Sequence, residues 1–239
     1  MTNVLAVSGS LRREKGETSR ILMPFLEGMR SAGASVDLNY VKDIKIKPCR
    51  GDFHCWDTKP GECIIKDGMQ ALYSKLRWAD ILVLATPVYI PLPGEMQNFI
   101  NRLCPLVNPL LDFKEGRTRA RLQKDFRIQK IVLVSSGGWW EKGNFDTVQR
   151  ICEELAKDIS VEFAGALLRP HAYLMTEFED KAEEIAAASK EAGSQLVREG
   201  RISAELLETV SQPLVAEKAL RERYNRAYQR TAGTMSKAQ

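Results

Sequence analysis

The chain has 239 residues, 44% of them hydrophobic and 28% charged, with a formal net charge of +4. That length buries roughly 70–75% of the extended chain's surface without staples, and the composition is that of an ordinary globular protein. So small a positive charge excludes a nucleic-acid partner as the default reading, and no apolar run approaches the ~20 residues of a membrane span.

The N-terminal "MTNVLAVSGS" runs directly into a strand pattern without a basic n-region or cleavage site. The expectation is no signal peptide and a cytoplasmic protein. Five cysteines are an odd count, which argues against a disulfide framework. Val4–Ser8 reads as a buried strand. A helix follows over Thr18–Ser31, with Ile21, Leu22, Phe25, Leu26 and Met29 on one face. "SVDLNYV" (35–41) reads as a second strand. The stretch "PCRGDFHCWDTKPGEC" (48–63) then gathers three cysteines. Lys66–Trp78 has helical periodicity, and "ILVLATPVY" (81–89) is the most apolar strand. Gly94–Leu106 reads as a helix, Lys130–Gly138 as a strand, Phe145–Lys157 as a helix and Val161–Leu168 as the last strand. Cys104 and Cys152 fall on apolar helix faces, as inert buried thiols.

Strands alternating with helices imply right-handed parallel crossovers. Ile81–Leu84 and Ile131–Val134 are continuous apolar runs, as strands buried on both faces should be. The expectation is an α/β fold with a five-stranded doubly wound parallel sheet and helices on both faces. The sheet domain spans 1–172, with a cysteine-containing insert at 41–65. A helical C-terminal extension covers 173–239. In it, 178–199 is polar and alanine-rich, 202–230 is charged and broken at Pro213, and 229–239 frays. So little apolar area suggests that the extension crosses a partner subunit.

Ligands on such sheets bind beyond the carboxyl ends of the strands, where three loops should meet. "SGSLRREKGETSR" (8–20) lacks the glycine pattern of dinucleotide folds and the lysine of P-loops. Its hydroxyls at a helix N-terminus suit a phosphate dianion, and the alternative is that Thr18 or Ser19 merely caps the helix. "TPVYIPLPGEMQNFINRL" (86–103) is held rigid by Pro87, Pro91 and Pro93 beside Tyr89. That suits one side of a planar heterocycle, or simply a stiff loop over the core. "SSGGWWEKGNF" (135–145) offers backbone approach beside the large, amphipathic Trp139 and Trp140; the alternative is that one of them packs in the core. His171, at the end of the last strand, reads as a structural loop histidine, with reach to the ligand's edge as the alternative. The basic run Arg117, Arg119, Arg121, Lys124, Arg127 and Lys130 reads as a solvated loop, or as an attractor for a nucleotide phosphate or an acidic redox partner.

Together "GSLRREKGETSR" and "TPVYIPLPGEMQNFINRL" resemble the NAD(P)H-dependent FMN reductases of the flavodoxin-like fold, over about residues 3–170. Gln97 and Asn101 depart from that family's Lys and Asp. The resemblance implies that Ser8, Ser10, Arg12, Thr18 and Ser19 serve the flavin phosphate. It places Pro87, Val88, Tyr89 and Ile90 along the isoalloxazine, mostly through backbone groups, and Ser136, Gly137 and Gly138 at its other edge. FMN is then the cofactor and NAD(P)H the co-substrate, with a quinone or redox protein as acceptor. No side chain is required as general acid or base, because the flavin carries the chemistry. A homodimer or homotetramer is expected.

The segment 49–69 also resembles the narrower group of iron-sulfur flavoproteins. Cys49, Asp52, Cys55 and Cys63 keep that group's four-cysteine register, with Asp52 in the second seat, and "IIKDGM" follows as "I-x-D-D-M" does there. An iron–sulfur cluster on those four residues stands beside two other readings. One is zinc on the three cysteines with Asp52 or His54; the other is a loop without metal. The functional reading is electron transfer from NAD(P)H through FMN. Its alternatives are an electron carrier without direct NAD(P)H use, a cluster-free quinone reductase, and a non-enzymatic zinc or thiol sensor.

Overall fold

The computed structural model describes residues 1–114 and 116–235, with side chains through residue 230. Five strands form one sheet: β1 (Asn3–Ser8), β2 (Ser35–Tyr40), β3 (Ile81–Pro87), β6 (Lys130–Ser136) and β7 (Glu162–Arg169), in spatial order β2-β1-β3-β6-β7. Every neighbour pairs in parallel, with Val4 opposite Ile81 and Leu82 opposite Ile131. This is the 2-1-3-4-5 order of flavodoxin-like sheets, whose switch point lies between the first and third strands. The expected α/β class and five-stranded sheet are therefore present.

Side chains of a strand alternate between faces, and here both faces are dry. Leu5, Val7, Leu82, Leu84, Ile131 and Leu133 face one core with α3 (Met69–Trp78), α4 (Gly94–Asn101) and α5 (Asp146–Asp158). Val4, Ala6, Val83, Ala85, Val132 and Val134 face the other, with α1 (Ser19–Ser31) and α6 (Glu179–Glu199).

The extension is built into that second core. Ile185, Ala188, Ala192 and Leu196 of α6, Val210 of α7 (Ala204–Ser211) and Leu220 of α8 (Glu217–Met235) are all buried in it. Its helices pack on this chain's own sheet, where the sequence suggested a partner subunit. Helices α1 and α6 touch backbone to backbone: a Cβ on Gly28 would overlap the Lys190 carbonyl, and one on Gly193 the Phe25 carbonyl. Small residues here permit close approach. The fraying expected at 229–239 meets a helix that continues to Met235, and 236–239 lie outside the described residues.

Two local elements differ from expectation. The basic run is largely strand. β4 (Val107–Lys114) and β5 (Arg117–Leu122) form an antiparallel hairpin between α4 and β6. Its charges are mostly paired: Arg117 and Arg119 with Glu154, Arg121 with Asp112, Arg127 with Asp80 and Lys130 with Glu162. A run so neutralised exerts little outward field. Helix α4 also stops at Asn101, because Pro105 has no N–H to bond the Asn101 carbonyl. Cys104 therefore begins a 3-10 turn, Cys104–Leu106, and is off the helix face.

Candidate functional site

A cleft of about 630 Å³, open on one side, sits at the carboxyl ends of β1, β3 and β6. That volume includes the cleft's open mouth. Of the residues expected there, Ser10, Arg12 and Thr18 line it from the first loop. Pro87, Val88 and Tyr89 line it from the second, and Ser136, Gly137 and Gly138 from the third. Ser8, Ser19 and Ile90 do not. The Ser8 hydroxyl is buried and accepts from the Ser10 N–H at 3.3 Å. Ser19 Oγ donates to the Arg13 carbonyl at 2.8 Å. Ile90 is fully exposed, just before the cis Ile90–Pro91 bond.

The loop after β1 is shaped as a donor cradle. Among the described residues, the backbone N–H groups of Leu11, Arg12, Glu17 and Thr18 have no backbone acceptor. Neither Thr18 nor Ser19 caps α1 through its side chain. Thr18 Oγ1 instead meets Ser136 Oγ at 2.7 Å, tying the first loop to the third. Gly16 is needed there, because a Cβ would overlap Ser10 Oγ. The Arg12 guanidinium lies over this loop, paired with Glu17 at 2.9 Å. Unfilled amides at a helix N-terminus favour an anion.

The opposite wall is apolar and aromatic. The Val88 and Tyr89 N–H groups are already used, by the Ser136 carbonyl at 2.8 Å and the Pro91 carbonyl at 2.9 Å. These two amides are thus not free for a ligand, more narrowly than the sequence implied. Tyr173, which no motif signalled, lines the cleft with a buried hydroxyl lacking a hydrogen-bond partner of good geometry. Its ring meets Tyr224 of α8 edge-on, and Tyr224 in turn meets the exposed Trp139. Trp140 packs inward, with its indole N–H on the Val215 carbonyl at 2.8 Å. An anion cradle facing an apolar, aromatic wall fits a phosphorylated planar cofactor.

His171 stays out of the cleft. It is fully buried, and its Nε2 accepts the Leu214 N–H at 3.0 Å. Burial, and then the nearby Arg169 charge, lower its pKa to about 4. Arg169 is itself buried, donating to the carbonyls of Pro170, Val210 and Gln212. The unfolded chain binds a proton at His171 near pH 6.5 and the folded chain only near pH 4. Stability should therefore fall as pH drops through that window, by up to about 3 kcal/mol from this residue. Urea unfolding at pH 7.5 and 4.5 checks this: the loss should shrink in His171→Gln, and an equal loss in both proteins would contradict it.

A second cavity, about 650 Å³ including its mouth, lies by the far end of α4. Cys49, Cys55 and Cys63 line it, and so does Cys104, which the sequence placed on a helix face. Asp52 lies on the same wall, its carboxylate bonded to Arg50 Nε at 3.1 Å and the His54 N–H at 3.1 Å. His54 does not line the cavity. Burial, and then the adjacent Cys104 thiol, push the Cys55 thiol up to about 12. All five cysteines are unpaired.

The cavity is held by one guanidinium. Arg102 and Asp67 form an ion pair at 2.8 Å, with side chains 1% and 2% exposed. Arg102 also donates to the carbonyls of Lys47 at 2.8 Å and Ile65 at 3.3 Å. Burial alone would raise the Asp67 carboxyl, but Arg102 and the Lys47 and Met69 amides outweigh it and hold it below the usual range. The cavities share no lining residue. Helix α4 joins them: Pro87–Tyr89 precede it, and Asn101 ends it with Arg102–Pro105 following. Its eight residues span ~12 Å at 1.5 Å each.

Residues 2–142 match the family described as NADPH-dependent FMN reductase. An iron-sulfur flavoprotein of Archaeoglobus fulgidus is 31% identical over 106 residues, 44% of this chain and 47% of that protein. One from Methanosarcina thermophila is 30% identical over 151 residues, 62% of this chain and 70% of that protein. The chain thus spans about half the length of the first relative. Among solved structures, an NAD(P)H:quinone oxidoreductase from Methanothermobacter marburgensis superposes with TM-score 0.55 at 15% identity, covering 82% of this chain and 96% of the other. An FMN-dependent NADH-azoreductase from Bacillus anthracis, in complex with FMN, gives 0.58 at 11% identity, covering 83% and 100%. At such identities the likeness is one of fold.

Proposed function

The chain belongs to the NADPH-dependent FMN reductase family, and on that premise we propose that its cleft holds FMN, reduced by a nicotinamide nucleotide, with electrons leaving through an iron–sulfur centre at the cysteine cavity to a quinone or redox protein. The observation that carries the flavin site is the set of unfilled amide donors at the start of α1, facing the Pro87–Tyr89 wall. The loop amides, Ser10, Thr18 and Arg12 bind the phosphate, and Arg12 must exchange part of its contact with Glu17 to do so. Val88, Tyr89 and Tyr173 orient the ring system. Bound there, FMN supplies a hydride acceptor that can release electrons singly or in pairs.

The iron–sulfur part rests on the thiols around one cavity and on relatives named iron-sulfur flavoproteins. Burial raises the Cys55 and Cys104 thiols, and a thiol is reactive as its thiolate, so the sensor reading is the weaker one. A cluster-free quinone reductase is the second reading. It is favoured by Asp52, which stands in a cysteine seat of the motif and is bonded to its own loop. Iron and sulfide analysis separates the two. Unpaired thiols suit a reducing, cytoplasmic setting. Among the described residues no helix is long and apolar enough to cross a membrane. The exposed Leu110 and Phe113 of the β4–β5 hairpin support a homodimer or homotetramer, testable by light scattering.

The site is tested by titrating flavin-free protein with FMN and following flavin fluorescence. Thr18→Val removes a buried hydroxyl from the phosphate loop. A hydrogen bond to a charged group contributes about 1.5–3 kcal/mol, so the Kd for FMN should rise about 10-fold or more. An unchanged Kd would remove Thr18 from the site, and no binding by the parent would overturn the assignment.

A further inference from the structure

We infer that Cys49, Cys55, Cys63 and Cys104 are the four ligands of an iron–sulfur cluster, with Cys104 taking the place that the sequence register gives to Asp52. This rests on the cofactor reading above for the group itself; the ligand set comes from the fold. Four of the five cysteines line one cavity, although Cys104 lies 41 residues beyond the motif. The fifth, Cys152, is buried on α5 in the sheet core.

Chain geometry explains the gathering. Arg102 stands two residues before Cys104, and its guanidinium bonds the carbonyl of Lys47, two before Cys49, and that of Ile65, two after Cys63. One buried side chain thus fixes three of the four thiol-bearing segments. The fourth, Cys55, sits on the short helix α2 (His54–Asp57), whose Cys55 carbonyl accepts the Gly61 N–H at 3.0 Å. Asp52 has the opposite character: its oxygens serve Arg50 and the His54 amide, closing its own turn.

Ligand chemistry agrees. Iron–sulfur clusters are held by four cysteine thiolates in the common case, and carboxylate suits harder ions. Among the described residues no three of His, Cys, Asp or Glu converge closely enough to hold one metal ion. A cluster, whose irons are spread over a core of sulfides, spaces its thiolates more widely than a single tetrahedral zinc. Phe53, Ile65 and Pro105 supply apolar wall between the thiols. On binding, each thiol releases its proton to solvent and its sulfur bonds an iron, with no net oxidation of the protein.

The test is anaerobic reconstitution of the full chain with equal parts of ferrous and ferric iron and with sulfide, read by metal and sulfide analysis and by visible absorbance. The parent should take up about four iron and four sulfide per chain, as a four-iron cluster requires. Asp52→Asn and Cys152→Ser should match it. Cys104→Ser should lose at least half of the iron while keeping its far-UV circular dichroism and FMN binding. Alkylation mapping of the parent provides a second readout that does not depend on a variant. Cys104 should be less reactive in the loaded protein than after chelation, together with the other three. Cys104→Ser with full iron, or Asp52→Asn without it, overturns the ligand assignment alone. A parent that takes up no iron, or only zinc, overturns the cofactor reading and the assignment with it.

Discussion

Arg102→Met should destabilise the protein by about 3–5 kcal/mol, the usual cost of removing one partner of a buried ion pair. The side chain is 1% exposed and its partner Asp67 2%. Methionine fills much of the volume, so the loss is electrostatic. It strands the Asp67 carboxylate and leaves the Lys47 and Ile65 carbonyls without their donor. Replacing both partners, as in Arg102→Met with Asp67→Leu, should recover part of the loss, because the uncompensated buried charge is then gone. Urea denaturation with a double-mutant cycle measures this. A loss below about 1 kcal/mol, typical of surface pairs, would show that the pair is not buried as described. The Arg102 variant should also bind less iron on reconstitution, since three thiol-bearing segments lose their common anchor.

Gly193→Ala should also destabilise the protein, and here the sign is the informative quantity. On a solvated helix, Gly→Ala gains about 1 kcal/mol of helix propensity. In α6 the new Cβ would overlap the Phe25 carbonyl of α1. The helices must part, and overpacking of this kind costs about 1–3 kcal/mol or more, so packing outweighs propensity. Gly28→Ala, which meets the Lys190 carbonyl, should behave alike. Thermal unfolding decides: a lower Tm for both variants fits α6 as part of the core, and a raised Tm would fit a loosely attached extension.

The sheet was legible because its central strands are continuous apolar runs, and the three loops were legible because they follow those strands. Where the cleft's lining is carried by side chains or prolines, the motif named residues that do line it, as at Ser10, Thr18 and Pro87. Where it is carried by backbone amides, residue type has little to say, so Leu11 and Glu17 went unmarked. Tyr173 arrives from beyond β7, and no local pattern connects it to the cleft. Helix α6 looked peripheral because its contact is made by glycine and alanine, which allow close approach while contributing little apolar area. Cys104 was misplaced because the apolar periodicity of α4 continues past Asn101 to Leu103. Pro105 carried the opposite signal, and it decided the outcome. The basic run "RTRARL" alternates with the period of a strand, which the count of charges obscured.

The most direct measurement is anaerobic addition of NADPH, and separately NADH, to the FMN-loaded protein while following the flavin's visible absorbance. Prompt bleaching by at least one of them, reversed by a quinone or another oxidant, is the predicted result. FMN that stays bound and oxidised with both nucleotides would contradict the account.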